Sequence, residues 1–119
     1  MTKAEFVAEL RQLGYEAEEL EGNRVAFSYL VPGGRFVGQT IRLGFDVPPD
    51  FPMTPPSGPH VSPRLFPIQA GGTHPTGGVH ESPFGAGWEY WSRPIQHWPQ
   101  TKRTVRDLMA HVHHLFDKI

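Results

Sequence analysis

The sequence predicts an α+β domain. Three observations carry that expectation: helical periodicity at both ends of the chain, period-2 alternation between residues 25 and 47, and a proline- and glycine-rich stretch ahead of the last helix. A helix at each end with strands between them packs most simply as helices laid on one face of an antiparallel sheet.

The first helix opens at Thr2. A hydroxyl there and a carboxylate at Glu5 fit a capping box, in which each side chain satisfies a backbone donor of the first turn. Phe6, Leu10 and Leu13 then recur at i, i+4 and i+7 on one face, and Gly14 sits where a helix stops. The acidic stretch over residues 16–21 ends in the turn signal Gly22-Asn23.

Two strands follow. Val25, Phe27, Tyr29 and Val31 alternate with Ala26, Ser28 and Leu30, and Pro32-Gly33-Gly34 makes a turn. Ile41, Leu43, Phe45 and Val47 then face one way while Thr40, Arg42, Gly44 and Asp46 face the other. That alternation describes an antiparallel hairpin with one packed face and one wet face. Residues 48–67 hold eight of the 13 prolines, so a central strand cannot run through most of them, although a short one fits at His60 and Val61. Residues 71–87 hold six glycines and read as a long irregular, active-site-like loop. From Thr101 onward Val105, Leu108, Met109, Val112, Leu115 and Phe116 keep helical spacing, with Pro99 just upstream.

The chain has 119 residues, enough for a single domain over 1–119 with one real core. It has no cysteine, which removes disulfides, thiolate metal sites and cysteine nucleophiles. Eleven basic residues against 12 acidic ones give a net charge of −1, which argues against nucleic acid or an anionic membrane as the main partner. There is no apolar run of membrane-spanning length and no signal-peptide core at the start, so the expected setting is the cytoplasm.

Candidate chemistry gathers in the glycine-rich stretch. His74, His80 and Ser82 could supply a base and a hydroxyl nucleophile, with Glu81 as an orienting carboxylate or a binding group. Sequence adjacency does not by itself assemble a triad, and hydrogen bonds that shape the loop are the plainer role. Trp88, Tyr90, Trp91 and Trp98 form an aromatic group around Glu89 and Arg93, suited to a core or to a binding surface. Trp88 and Tyr90 would share one side of a short strand, with Trp91 on the other. His111, His113 and His114 spread around the last helix rather than pairing at i, i+4, so no metal or other cofactor is expected there. A metal site would need three of His74, His80, Glu81 and His97 to converge.

The segment Phe45-Asp46-Val47-Pro48 with Pro49-Asp50-Phe51-Pro52-Met53-Thr54-Pro55-Pro56 resembles the P-x-x-Y-P-x-x-P-P turn of ubiquitin-conjugating (E2) enzymes. His74-Pro75-Thr76 stands where that family carries His-Pro-Asn, and Gly78-Val79-His80 resembles the approach to its catalytic cysteine. Trp98-Pro99 followed by Thr104, Val105, Leu108, Val112 and Leu115 resembles the tryptophan-proline lead-in to the helix after the active site. More narrowly, HPTGGVHESPFGAGWEYWSRP is similar to a prokaryotic E2-like group known as family E. The resemblance implies an E2 (UBC)-like fold with an N-terminal helix, an antiparallel meander and a C-terminal helix. It also implies a place in a bacterial ubiquitin-like conjugation pathway, with a ubiquitin-like protein and an E1-like activating enzyme as partners.

The departures from the family bear on mechanism. His80 stands in place of the cysteine, which excludes a thioester, and Thr76 replaces the asparagine that would stabilise an oxyanion. The spacing from His-Pro to the active position is shorter than in the family, and the chain ends after one C-terminal helix. Three readings follow. The domain binds the ubiquitin-like protein or its activating enzyme without catalysis; or it carries an oxyester on Ser82 with His80 as base; or it is an adaptor or ligand-binding module outside that chemistry. The binding readings expect an exposed apolar patch including Phe51, Phe66 and Trp88, with Tyr90, Trp91 and Glu81 beside it.

Overall fold

The computed structural model describes residues 1–66, 73–74 and 77–119, with residues 73, 74 and 77 described by their backbone alone. It is an α+β arrangement in which helix α1 (Lys3–Gln12) leads into strands β1 (Ala17–Glu19), β2 (Arg24–Leu30), β3 (Thr40–Asp46) and β4 (His60–Ser62). Strands β5 (Thr73–His74), β6 (Gly77–Glu81) and β7 (Glu89–Trp91) follow, then a 3₁₀ turn (Trp98–Gln100) and helix α2 (Val105–Asp117). The strands are antiparallel in the order β1-β2-β3-β4-β7-β6-β5. Among the described residues, no helix is long and apolar enough to cross a membrane.

Both helices start as their residue types dictate. Thr2 and Glu5 close a capping box on α1, and Gly14 ends the helix region at φ +97°, a conformation that only glycine adopts without cost. Helix α2 is capped by Thr104 and Asp107 in the same way, and it buries Val105, Leu108, Met109, Val112, Leu115 and Phe116, the stripe expected from spacing. It begins later than Thr101, because Pro99 lies in the 3₁₀ turn and Arg103 takes a φ of +55° that cannot continue a helix.

Two further segments differ from the sequence expectation. The acidic stretch holds β1, whose Ala17 is buried opposite Phe27 while Glu18 and Glu19 stay exposed. The glycine-rich stretch is not wholly irregular: β6 pairs with β7 through Val79↔Trp91, His80↔Tyr90 and Glu81↔Glu89. Backbone hydrogen bonds to β7, together with Val79 on the packed face, offset the weak strand preference of glycine.

One face of the sheet carries Val25, Phe27, Leu43, Phe45, Val61, Val79 and Trp91 and is covered by both helices. Phe6 meets Phe45 edge-on at 6.2 Å, and Trp91 packs on Phe116 at 5.0 Å. Phe51, at the centre of the proline-rich turn, is fully buried against Phe6 at 5.1 Å and beside Trp98 at 5.9 Å. The indole of Trp98 donates to the carbonyl of Pro52 at 2.7 Å, fastening that turn to the lead-in of α2.

Candidate functional site

The opposite face of the sheet holds the candidate site. Register places Ala26, Gly44, His60, Tyr90 and His80 in one row across β2, β3, β4, β7 and β6. Residues 82–88 leave β6, form two consecutive turns (Gly85 N–H to the Ser82 carbonyl, Trp88 N–H to the Gly85 carbonyl) and lie back over that row. Phe84 carries the contact. It stacks on the His60 ring at 4.3 Å, touches Trp88 at 5.1 Å and has the Arg24 guanidinium 5.7 Å from its centroid. Gly44 makes the slot for this ring, since a Cβ there would sit 2.4 Å from Phe84 Cε2.

His60 is the centre of the site. Only 6% of it is exposed, and Tyr90 stacks on it at 4.7 Å, so the imidazole lies between two rings. Its Nδ1 shares a 2.8 Å hydrogen bond with Ser82 Oγ, which also accepts the backbone N–H of Phe84 at 3.1 Å. Burial, with the Arg24 charge as a second cause, pushes the His60 pKa down to about 4, so the ring is neutral at pH 7. Tyr90 is held at its far end by a 2.6 Å hydrogen bond between its hydroxyl and Ser57 Oγ.

Ser82 therefore does pair with an imidazole, and that imidazole is His60. His80, two residues away on the same strand face, is exposed, lies 6.0 Å from the Tyr90 ring, and makes no hydrogen bond to Ser82. Ser82 itself is half-buried and doubles as the side-chain acceptor of its own turn. His74 lies in β5, but its side chain falls outside the described residues, as does Thr76.

The aromatic candidates divide. Phe51 and Trp91 are fully buried and offer no surface to a partner, a correction to the patch expected from sequence. The reason in each case is position: Phe51 fills the gap between α1 and the 3₁₀ turn, and Trp91 sits on the inward parity of β7. Phe66, Trp88 and Tyr90 are half-buried, and Glu81 is exposed. Within β7, Tyr90 faces the outer side and Trp91 the inner one, while Trp88 precedes the strand and packs on Phe84.

Three residues that sequence reasoning left without a role complete the surroundings. Glu89 is fully buried in the core, where its carboxylate accepts the N–H groups of Leu65 (2.8 Å) and Phe66 (3.2 Å) and the indole N–H of Trp91 (3.0 Å). Arg93 donates to the Gly78 carbonyl at 2.9 Å, and its own carbonyl meets His111 Nε2 at 3.0 Å, linking β6 to α2. Tyr29 joins the sheet to α2 by a 2.6 Å bond between its hydroxyl and His113 Nδ1. Strand alternation at His60-Val61 was the one signal that could have found the outward histidine.

No three His, Asp or Glu side chains converge as a metal-binding group among the described residues. A groove of about 810 Å³ runs between the end of α1 and the start of α2, lined by Glu9, Leu13, Thr101, Lys102, Val105 and Arg106, with Ser82 not among its lining residues. No family model, curated protein or solved structure matches this chain.

Proposed function

We propose that this domain is a cysteine-free, E2-like component of a bacterial ubiquitin-like conjugation pathway that binds the ubiquitin-like protein, its E1-like enzyme, or both. The observation that carries the reading is the meeting of two motif segments, the FPMTPP turn and the Trp98-Pro99 lead-in to α2. An N-terminal helix leads into the antiparallel meander β1–β4, and the FPMTPP turn is locked against α1 by Phe51 and beneath Trp98 at the approach to α2. The environment of the histidine beside Ser82 favours binding over catalysis. A base held at a pKa of about 4 between two rings takes up a proton weakly at neutral pH.

The test is calorimetric titration of the protein with a purified bacterial ubiquitin-like protein and its E1-like activating enzyme, followed by intact-mass spectrometry after incubation of all three with ATP. Saturable binding to at least one partner with no change in mass is the expected result. Absence of binding to both overturns the reading.

The 2.8 Å Ser82–His60 contact favours one second reading, an oxyester carrier. There Ser82 Oγ attacks the acyl carbon of the modifier's activated C-terminus, its proton passes to His60 Nδ1, and the thiolate of the activating enzyme leaves. An adduct that resists thiols, is released by hydroxide and is lost in Ser82→Ala would establish it in place of the binding reading.

A further inference from the structure

We propose that residues 82–88 form a strap over the outer face of the sheet, held closed by neutral His60 and released when His60 takes up a proton. The inference is independent of the proposed function. It rests on how few contacts fix the strap and how many of them pass through one ring. Phe84 lies against His60 at 4.3 Å and the Ser82 hydroxyl bonds to His60 Nδ1; among the described residues the remaining attachments are Phe84 in the Gly44 slot, the Arg24 guanidinium 5.7 Å from the Phe84 centroid, and Arg64 Nε on the Trp88 carbonyl at 2.9 Å.

The charged and titratable groups around His60 do little to welcome a proton. From β2 comes Arg24, a cation on the same Phe84 ring; from β3, Gly44 brings no side chain, and Asp46 stands across the ladder from Arg24. From β7 comes Tyr90 and from β6 the exposed His80, while the strap contributes only the Ser82 hydroxyl. The faces of Phe84 and Tyr90 attract an imidazolium somewhat. Burial and Arg24 outweigh that attraction, and closing the strap holds the pKa at about 4.

Opening exposes His60 to water and returns it towards the ordinary value near 6.5. The sign follows. The open form binds more protons than the closed form below pH 6.5, so closure is fully favoured above 6.5 and weakens as pH falls towards 4. At pH 4 the closed form loses about a hundredfold in its equilibrium against the open form, relative to pH 7.5.

The experiment is a pH titration from 7.5 to 3.5 of the ¹⁵N-labelled protein by two-dimensional NMR. It follows the Phe84 amide, the Trp88 indole and the His60 ring, with the indoles of Trp91 and Trp98 as markers of the core, since these donate to Glu89 and to the Pro52 carbonyl. The expected result is a common transition of Phe84, Trp88 and His60 between pH 6.5 and 4, completed before the Trp91 and Trp98 indoles move. In His60→Gln the transition disappears; should that variant fail to fold, Ser82→Ala gives the second reading, with the midpoint shifted upward towards 6.5. The proposal is overturned if all three indoles change in step, if the transition persists in His60→Gln, or if its midpoint is unmoved in Ser82→Ala.

Discussion

Gly44 shows how much one absent methyl group decides. It lies on the outward parity of a central strand, where a polar side chain would ordinarily face water, and its missing Cβ is what lets Phe84 reach the backbone. Gly44→Ala pushes that ring off the sheet and costs about 1–3 kcal/mol, measured by urea denaturation. Phe84→Leu in the same chain recovers part of the loss, because the shorter side chain clears the new methyl. Alternation predicted that Gly44 points outward, and it also gave the inward parity of Leu43 and Phe45. What covers Gly44 was not legible, since the covering residue arrives forty positions later. Glu89 was hidden for a related reason. Its partners are two backbone N–H groups and one indole, and only the folded chain gathers them around a carboxylate.

At the scale of elements, the helices were the most legible part. Periodicity and capping are local, so the α2 stripe and the Thr2–Glu5 box follow from spacing alone. The short strands were not legible, because β1, β5 and β6 depend on neighbours for their pairing rather than on their own residues. The cap of α2 is the element-level contact most open to test. Thr104 Oγ1 accepts the Asp107 N–H at 3.1 Å, and Asp107 Oδ2 accepts the Thr104 N–H at 3.0 Å. Thr104→Ala removes one half of that exchange and lowers stability by about 1 kcal/mol, with the loss read from the thermal midpoint. Serine at the same position keeps the hydroxyl and restores most of it.

For the whole molecule, pH is the lever. Burial depresses His60, His111 and His113 below the ordinary histidine value. Each binds a proton less readily in the folded chain than in the unfolded one. Their contribution to stability is therefore complete above about pH 6.5 and is lost as pH falls through their depressed values. His60 alone accounts for about 2 kcal/mol between pH 7.5 and pH 5, so the urea midpoint falls over that interval and falls less in His60→Gln. The capping carboxylates act in a separate, lower window. Hydrogen bonds from Thr2 and Thr104 hold Glu5 and Asp107 below the usual carboxylate range, and that stabilisation disappears only as the carboxylates themselves protonate.

The short reach of β1 has a consequence for how this protein behaves in crowded solution. β1 covers β2 only from Val25 to Phe27, so among the described residues no strand pairs with the outer edge of β2 at Ser28–Leu30, and Leu30 is 63% exposed there. A strand edge left unpaired, with an apolar side chain at its end, is where a second copy would add its own strand, growing sheets from molecule to molecule. Self-association at high concentration should begin at this edge, and Leu30→Lys should suppress it by light scattering without moving the thermal midpoint. The same three residues thus set an upper limit on how concentrated the protein can be kept while it stays monodisperse.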